Sequence, residues 1–187
     1  MKRSQLSLFL VLAITLCSCE FKCQVGNLQD NPKNDSTKRT VNTIQNGSDT
    51  KTLNGIELHS REVQVNRAFL SLEGGDLVPA DNTVVLGDKI SLIINIDNGW
   101  KEVDGKSFIG ASERITTDIG TELLNTGDMF DSYSASGLDV TDAKVITLKA
   151  RITSAPAVPV AYYVVNFRVW DKRGNGEITG KYQFYIK

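Results

Sequence analysis

From Ala161 to Lys187 the chain reads AYYVVNFRVWDKRGNGEITGKYQFYIK. Tyr163, Val165, Phe167 and Val169 fall on one face and Tyr162, Val164, Asn166, Arg168 and Trp170 on the other, the two-residue period of a strand with a buried face. After Asp171-Lys172-Arg173-Gly174-Asn175-Gly176 the alternation resumes: Ile178, Tyr182, Phe184 and Ile186 oppose Thr179, Lys181, Gln183 and Tyr185. This pattern predicts a β-hairpin that closes a domain, with Gly and Asn supplying positive φ in its turn.

The upstream segments have the same character. Glu62–Leu72 alternates loosely and ends at the turn Glu73-Gly74-Gly75-Asp76. Gly87-Asp88 introduces KISLIINID, where Ile90, Leu92, Ile94 and Ile96 share one face. Ile93 falls on the other, which predicts a central strand covered on both sides. SFIGASERITT, from 107 to 117, and Thr121–Leu124 form a second expected hairpin around Asp118-Ile119-Gly120. Residues 127–143 read as a long crossing loop in which Asp139 and Thr141 cap at most one helical turn. Lys144–Ile152 alternates cleanly, with Lys149 and Arg151 expected in solvent, and Pro156 and Pro159 fence the loop that follows. About seven short strands without useful helical periodicity predict an all-β, two-layer antiparallel sandwich over 56–187.

The motif Tyr163-x-Val165-x-Phe167-x-Val169-x-Asp171-x-x-Gly174-Asn175, followed by a last alternating strand, resembles the closing F and G strands of bacterial immunoglobulin-like domains. Gly87-Asp88 opening an apolar strand is similar to the B strand of the same family. The resemblance implies an immunoglobulin-like antiparallel β-sandwich and says little about activity.

The first residues carry different information. Met1-Lys2-Arg3 and the apolar run Leu6–Leu16 form an export signal, too short for a membrane-spanning helix. Leu16-Cys17-Ser18-Cys19 resembles the lipobox of bacterial lipoproteins, which implies a signal peptide over 1–18 and acylation of Cys19. Cys17 follows Leu16 and Cys23 follows Lys22, poor fits to the small residue that precedes the acylated cysteine. Each acyl methylene contributes about 0.8 kcal/mol of membrane affinity, so the lipid is a firm anchor. Residues 19–55 are rich in Asn, Asp, Ser, Thr and Lys and read as a polar tether, spanning about 30 to 35 Å if flexible. Cys23 is left as an odd thiol beside the membrane.

Composition narrows the function. With 21 basic and 22 acidic residues the net charge is −1, which disfavours nucleic-acid binding. All three cysteines lie before residue 24, and His59 is the sole histidine, at the edge of the tether, so a nucleophile with its base is missing from the domain. No pair of carboxylates is marked by an apolar setting that would raise one pKa, and no catalytic residue, metal ligand or cofactor is assigned. The spacing after Asp171 departs from a helix-flanked calcium loop, because Lys172 and Arg173 occupy positions that need acidic oxygens. Asp128, Asp131, Asp139 and Asp142 read as loop solvation and capping.

The remaining candidate is aromatic. Tyr162, Arg168 and Trp170, with Tyr185 on the neighbouring strand and Trp100 from a Gly-flanked loop, are a candidate ligand-binding ledge. The expectation is therefore a non-enzymatic, lipid-anchored protein of the cell envelope, at the outer membrane, presenting a binding or structural domain. Its partners are the membrane, through Cys19, and an envelope protein or a glycan. The alternative is a glycan-binding accessory lipoprotein of an outer-membrane polysaccharide uptake system.

Overall fold

The computed structural model describes residues 22–25, 50–154 and 159–187, and the leader and the Cys19 lipobox lie outside them. The described strands are β1 (Lys22–Val25), β2 (Lys51–Thr52), β3 (Glu57–Arg61), β4 (Gln64–Leu72), β5 (Thr83–Val84), β6 (Lys89–Asn98), β7 (Glu102–Val103), β8 (Lys106–Ser107), β9 (Ile109–Thr117), β10 (Glu122–Asn125), β11 (Leu138–Asp139), β12 (Val145–Arg151), β13 (Tyr163–Asp171) and β14 (Glu177–Ile186). One sheet has the order β1-β12-β6-β4-β2 and the other β10-β9-β13-β14-β3, with β5 added in parallel to the end of β14. A small ribbon, β11-β8-β7, completes the set.

The long strands reproduce immunoglobulin-like topology. β4, β6 and β12 stand as A, B and E in one layer; β9, β13 and β14 stand as C, F and G in the other, with β10 in the place of C′. The layers share one apolar interior. Ile90, Leu92, Ile94 and Ile96 of β6, Ile146 and Leu148 of β12 and Leu70 of β4 are buried with Val165, Phe167 and Val169 of β13 and Ile178, Tyr182 and Phe184 of β14. Phe130, from the crossing loop, also lies fully inside. The predicted inward faces of the KISLIINID strand and of the closing hairpin are thus the observed ones. Ile93 is buried on the opposite face, in register between Phe69 of β4 and Thr147 of β12, because β6 is central.

Several expectations need correction. The stretch 19–55 is not wholly tether: Lys22–Val25 pairs with β12, Lys51–Thr52 pairs with β4, and Thr52 is buried. Edge pairing uses backbone N–H and C=O groups, which polar composition does not report. His59, expected at the edge of the tether, belongs to β3, opposite Thr179. The crossing loop is interrupted by 3-10 turns at Asp131–Tyr133 and Asp142–Lys144 and by β11. Thr141 flanks the second turn without a side-chain cap bond, and Asp139 sits in β11 with its carboxylate 2.8 Å from the Lys106 ammonium. Lys149 and Arg151 are half-buried rather than in open solvent.

The closing turn is organised differently from the expectation of positive φ, which none of Gly174, Asn175 and Gly176 adopts. Instead the buried Asp171 carboxylate acts as a clasp: Oδ1 accepts from the N–H groups of Arg173 and Gly174, both at 2.8 Å, and Oδ2 accepts from Lys101 N–H at 2.6 Å. Gly176 is needed for space, since a Cβ there would sit 2.9 Å from Val63 Cγ2 and 3.1 Å from Trp100 Cε3. The clasp ties the β13–β14 turn to the loop that follows β6. Replacing Asp171 with Ala leaves three N–H donors without this acceptor, an expected loss of about 2–4 kcal/mol in urea denaturation. An unchanged midpoint would show that water replaces the carboxylate at no cost.

Candidate functional site

The aromatic residues singled out in the sequence do not form one ledge. Tyr162, just before β13, and Trp170, near its far end, are eight residues and roughly 26 Å apart at about 3.3 Å per residue. Trp170 lies directly over Gly110 of β9, where a Cβ would come within 2.2 Å of its indole, and the Arg168 guanidinium sits 5.0 Å from its ring centroid. Arg168 Nε in turn donates to Glu177 at 2.7 Å, which fixes it there. Trp170 therefore covers its own sheet. Trp100 is half-buried against the core, and its indole N–H donates to Ala143 C=O at 3.1 Å, so it holds a loop in place.

Tyr162 and Tyr185 do meet, edge to face, with ring centroids 6.1 Å apart. Tyr185 is exposed and forms one wall of a groove of about 420 Å³ on the β3/β14 side of the sandwich. Asn54, Glu57, Asp81, Lys181 and Gln183 supply its polar lining, while Leu53, Leu77 and Val78 make apolar wall. The Lys181 ammonium lies 3.1 Å from the Glu57 carboxylate. The Asp81 carboxyl is held below its usual range chiefly by the Thr83 N–H, donated at 3.0 Å.

The groove floor is rigid for an identifiable reason. Asn54 and Asn82 both adopt positive φ, 58° and 57°, a conformation that Asn tolerates better than most residues. The Asn54 amide donates to Val78 C=O at 3.1 Å and to Asn82 Oδ1 at 3.0 Å; the Asn82 amide donates to Asn54 C=O and Gln183 C=O, each at 2.8 Å. Three segments distant in sequence are thereby locked together. None of Asn54, Asp81 and Asn82 was singled out in the sequence; the only signal was Asx residues beside turns at Asn54-Gly55 and Asp81-Asn82.

The loop carboxylates of Asp128, Asp131 and Asp139 have structural partners. Asp128 accepts from Phe130 N–H at 2.9 Å and Ala111 N–H at 3.1 Å and pairs with the Lys172 ammonium. Burial alone would raise its carboxyl, but Lys172 and the two N–H donors outweigh that and hold it low. Among the described residues, no three His, Cys, Asp or Glu side chains stand together as a metal site.

One carboxyl does lie in an apolar setting. Glu113 of β9 shares the inward face with Ala111 and Ile115, is fully buried, and has no hydrogen-bond partner on either oxygen. The Tyr182 hydroxyl is likewise buried without a partner. The parity of GASERITT, with Glu113 two residues from Ile115, was the available signal. Burial pushes the Glu113 carboxyl from 4.5 up to about 8; burial, and then the proximity of Glu113, push the Tyr182 hydroxyl well above its ordinary 10.0.

The sign of the linkage is definite. The native state keeps the Glu113 proton up to about pH 8 while the unfolded chain loses it near 4.5, so this contribution is complete below 4.5 and declines through 8. The expected fall is up to about 5 kcal/mol at about 1.4 kcal/mol per pH unit, and Glu113→Gln flattens it. Urea denaturation from pH 5 to pH 8.5 checks this; an equal slope in the variant would assign the pH dependence to other groups.

No protein-family model matches the chain, and no curated protein is significantly similar to it. Among solved structures, the C-terminal domain of Wzt is similar at a TM-score of 0.43 and 13% identity, over 71% of this chain and 78% of that one. A likeness at that level carries no argument about what this protein does.

Proposed function

We propose that the protein is a non-enzymatic, lipid-anchored component of the bacterial cell envelope, acylated at Cys19, whose immunoglobulin-like domain binds a ligand in the Tyr185 groove. The supporting observation is the groove itself. Its volume of about 420 Å³ falls in the range of small-ligand sites, roughly 300–1,000 Å³, and its frame is set by the Asn54–Asn82 lock. The lining favours a glycan. An exposed tyrosine ring offers an apolar face to sugar C–H groups, and Asp81, Glu57, Lys181 and Gln183 surround it with acceptors and donors for hydroxyls. This is the alternative drawn from the sequence, a glycan-binding lipoprotein working beside an outer-membrane polysaccharide uptake system, moved from the ledge to the groove.

The contrast between aromatic positions gives the test. On columns of immobilised bacterial surface polysaccharides, Tyr185→Ala is expected to lose retention with its melting temperature nearly unchanged, since the ring is exposed. Trp170→Ala, away from the groove, is expected to keep retention. Retention that survives Tyr185→Ala removes the groove from the reading, and co-purification of one envelope protein, indifferent to added sugars, favours a docking role instead. Radiolabelled palmitate is expected in the native chain and absent from Cys19→Ala; label that persists in the variant would move the anchor to another residue.

A further inference from the structure

Among the described residues, the exposed large apolar side chains are unevenly distributed. Val85, Leu86, Ile119 and Tyr185 are all exposed, Ile119 by 71% and Val85 by 52%. Backbone contacts place them at one end of the sandwich. Val85 and Leu86 lie in the turn before β6, where Gly87 N–H donates to Ile152 C=O at 3.0 Å, just beyond β12. Val84 is in register with Ile186 at the end of β14, next to Tyr185. Ile119 lies in the β9–β10 turn, where Asp118 N–H donates to Tyr162 C=O at 3.0 Å, beside the start of β13. The opposite end, at the β13–β14 turn, carries Tyr133 near Lys172, whose ammonium reaches the Ser134 hydroxyl.

The direction of β1 ties this end to the anchor. β1 runs antiparallel to β12 with Lys22 opposite Lys149 and Val25 opposite Ile146, so it enters the sheet from the side of Arg151 and Ile152. That is the end of Val85 and Leu86. Cys19 precedes Lys22 by three residues, at most about 11 Å of extended chain.

We propose that this end of the domain, formed by Val85, Leu86 and Ile119 with Tyr185 at its margin, is a lipid-facing surface seated against the bilayer in which the acyl chains are buried. The proposal rests on acylation of Cys19, as proposed above. A three-residue link cannot hold the domain 30 to 35 Å from the lipid, and it presents to the membrane the end on which apolar side chains are concentrated. The contact is apolar rather than electrostatic: Lys89 and Arg151, the basic side chains nearest this end of β6 and β12, are both engaged with Glu73, and Lys187, beside Val84, lies close enough to the Asp81 carboxylate to lower its pKa. It therefore persists in high salt. The ligand groove, with Tyr185 in its wall, is then presented next to the lipid surface, and the β13–β14 turn points away from it.

The test uses the full acylated chain carrying Cys23→Ser and, one at a time, Leu86→Cys, Ile119→Cys or Ala135→Cys, each bearing an environment-sensitive fluorophore. The vesicles are phosphatidylethanolamine and phosphatidylglycerol with brominated acyl chains, and palmitate labelling is measured on the same preparations. The expected result is loss of emission at 86 and 119, unchanged in high salt, with full emission at 135. Full emission at all three positions in a palmitate-labelled chain overturns the surface while leaving the anchor intact; absence of palmitate removes the anchor and this surface with it. Shielding of 86 and 119 from an aqueous quencher by an added envelope extract, without quenching by brominated lipid, assigns the end to a protein partner and equally overturns the proposal.

Discussion

Everything in this molecule is arranged around one shared apolar layer, closed from one side by β6 and its neighbours and from the other by β13 and its neighbours. Neither sheet could persist alone, because each has a face of Ile, Leu, Val and Phe that water would solvate poorly. Burying such a side chain is worth about 1.5–3 kcal/mol, and the layer holds many of them. The strand order follows from this requirement. β6 is central and covered on both faces, β13 lies between β9 and β14, and the edges are left to the short strands β1, β2, β3 and β10.

Features that break the pattern are informative because the layer tolerates so few. Glu113 places a carboxyl where neighbouring positions on β9 carry Ala111 and Ile115, and the Tyr182 hydroxyl shares its isolation. A neutral carboxyl in such a site is far less costly than an ionised one, so the core is compatible with Glu113 only while it holds its proton. At the opposite extreme, Asp171 is buried yet saturated with backbone donors, and it serves as a joint between two loops. Two acidic side chains thus occupy the interior on different terms.

The surface shows how geometry redistributes residues that look alike in a sequence. Trp170 and Tyr162 share a parity on β13, but a strand is long compared with a side chain, and Gly110 and Arg168 enclose the indole on its own sheet. Tyr185 is drawn instead to the end of β14, where the Asn54–Asn82 lock builds a groove next to it. The proposed ligand site and the proposed lipid-facing end consequently share a border. For an anchored protein, that border would bring bound ligand and membrane together.

Periodicity made the strands legible. The inward faces of KISLIINID and of the closing hairpin, the centrality marked by Ile93 and the two-layer antiparallel sandwich follow from side chains two residues apart facing the same way, a local rule that needs no knowledge of neighbours, whereas the immunoglobulin-like order is implied by the resemblance of the closing strands. What stayed hidden depends on contacts between segments far apart in the chain. Lys22–Val25 joins a sheet through backbone groups that every residue type carries; Gly174 and Gly176 serve close approach rather than positive φ; the groove exists because residues near 54, 82 and 183 converge. A strand's facing pattern is written in its own residues, but the partner it meets is set by how two layers close over a common interior.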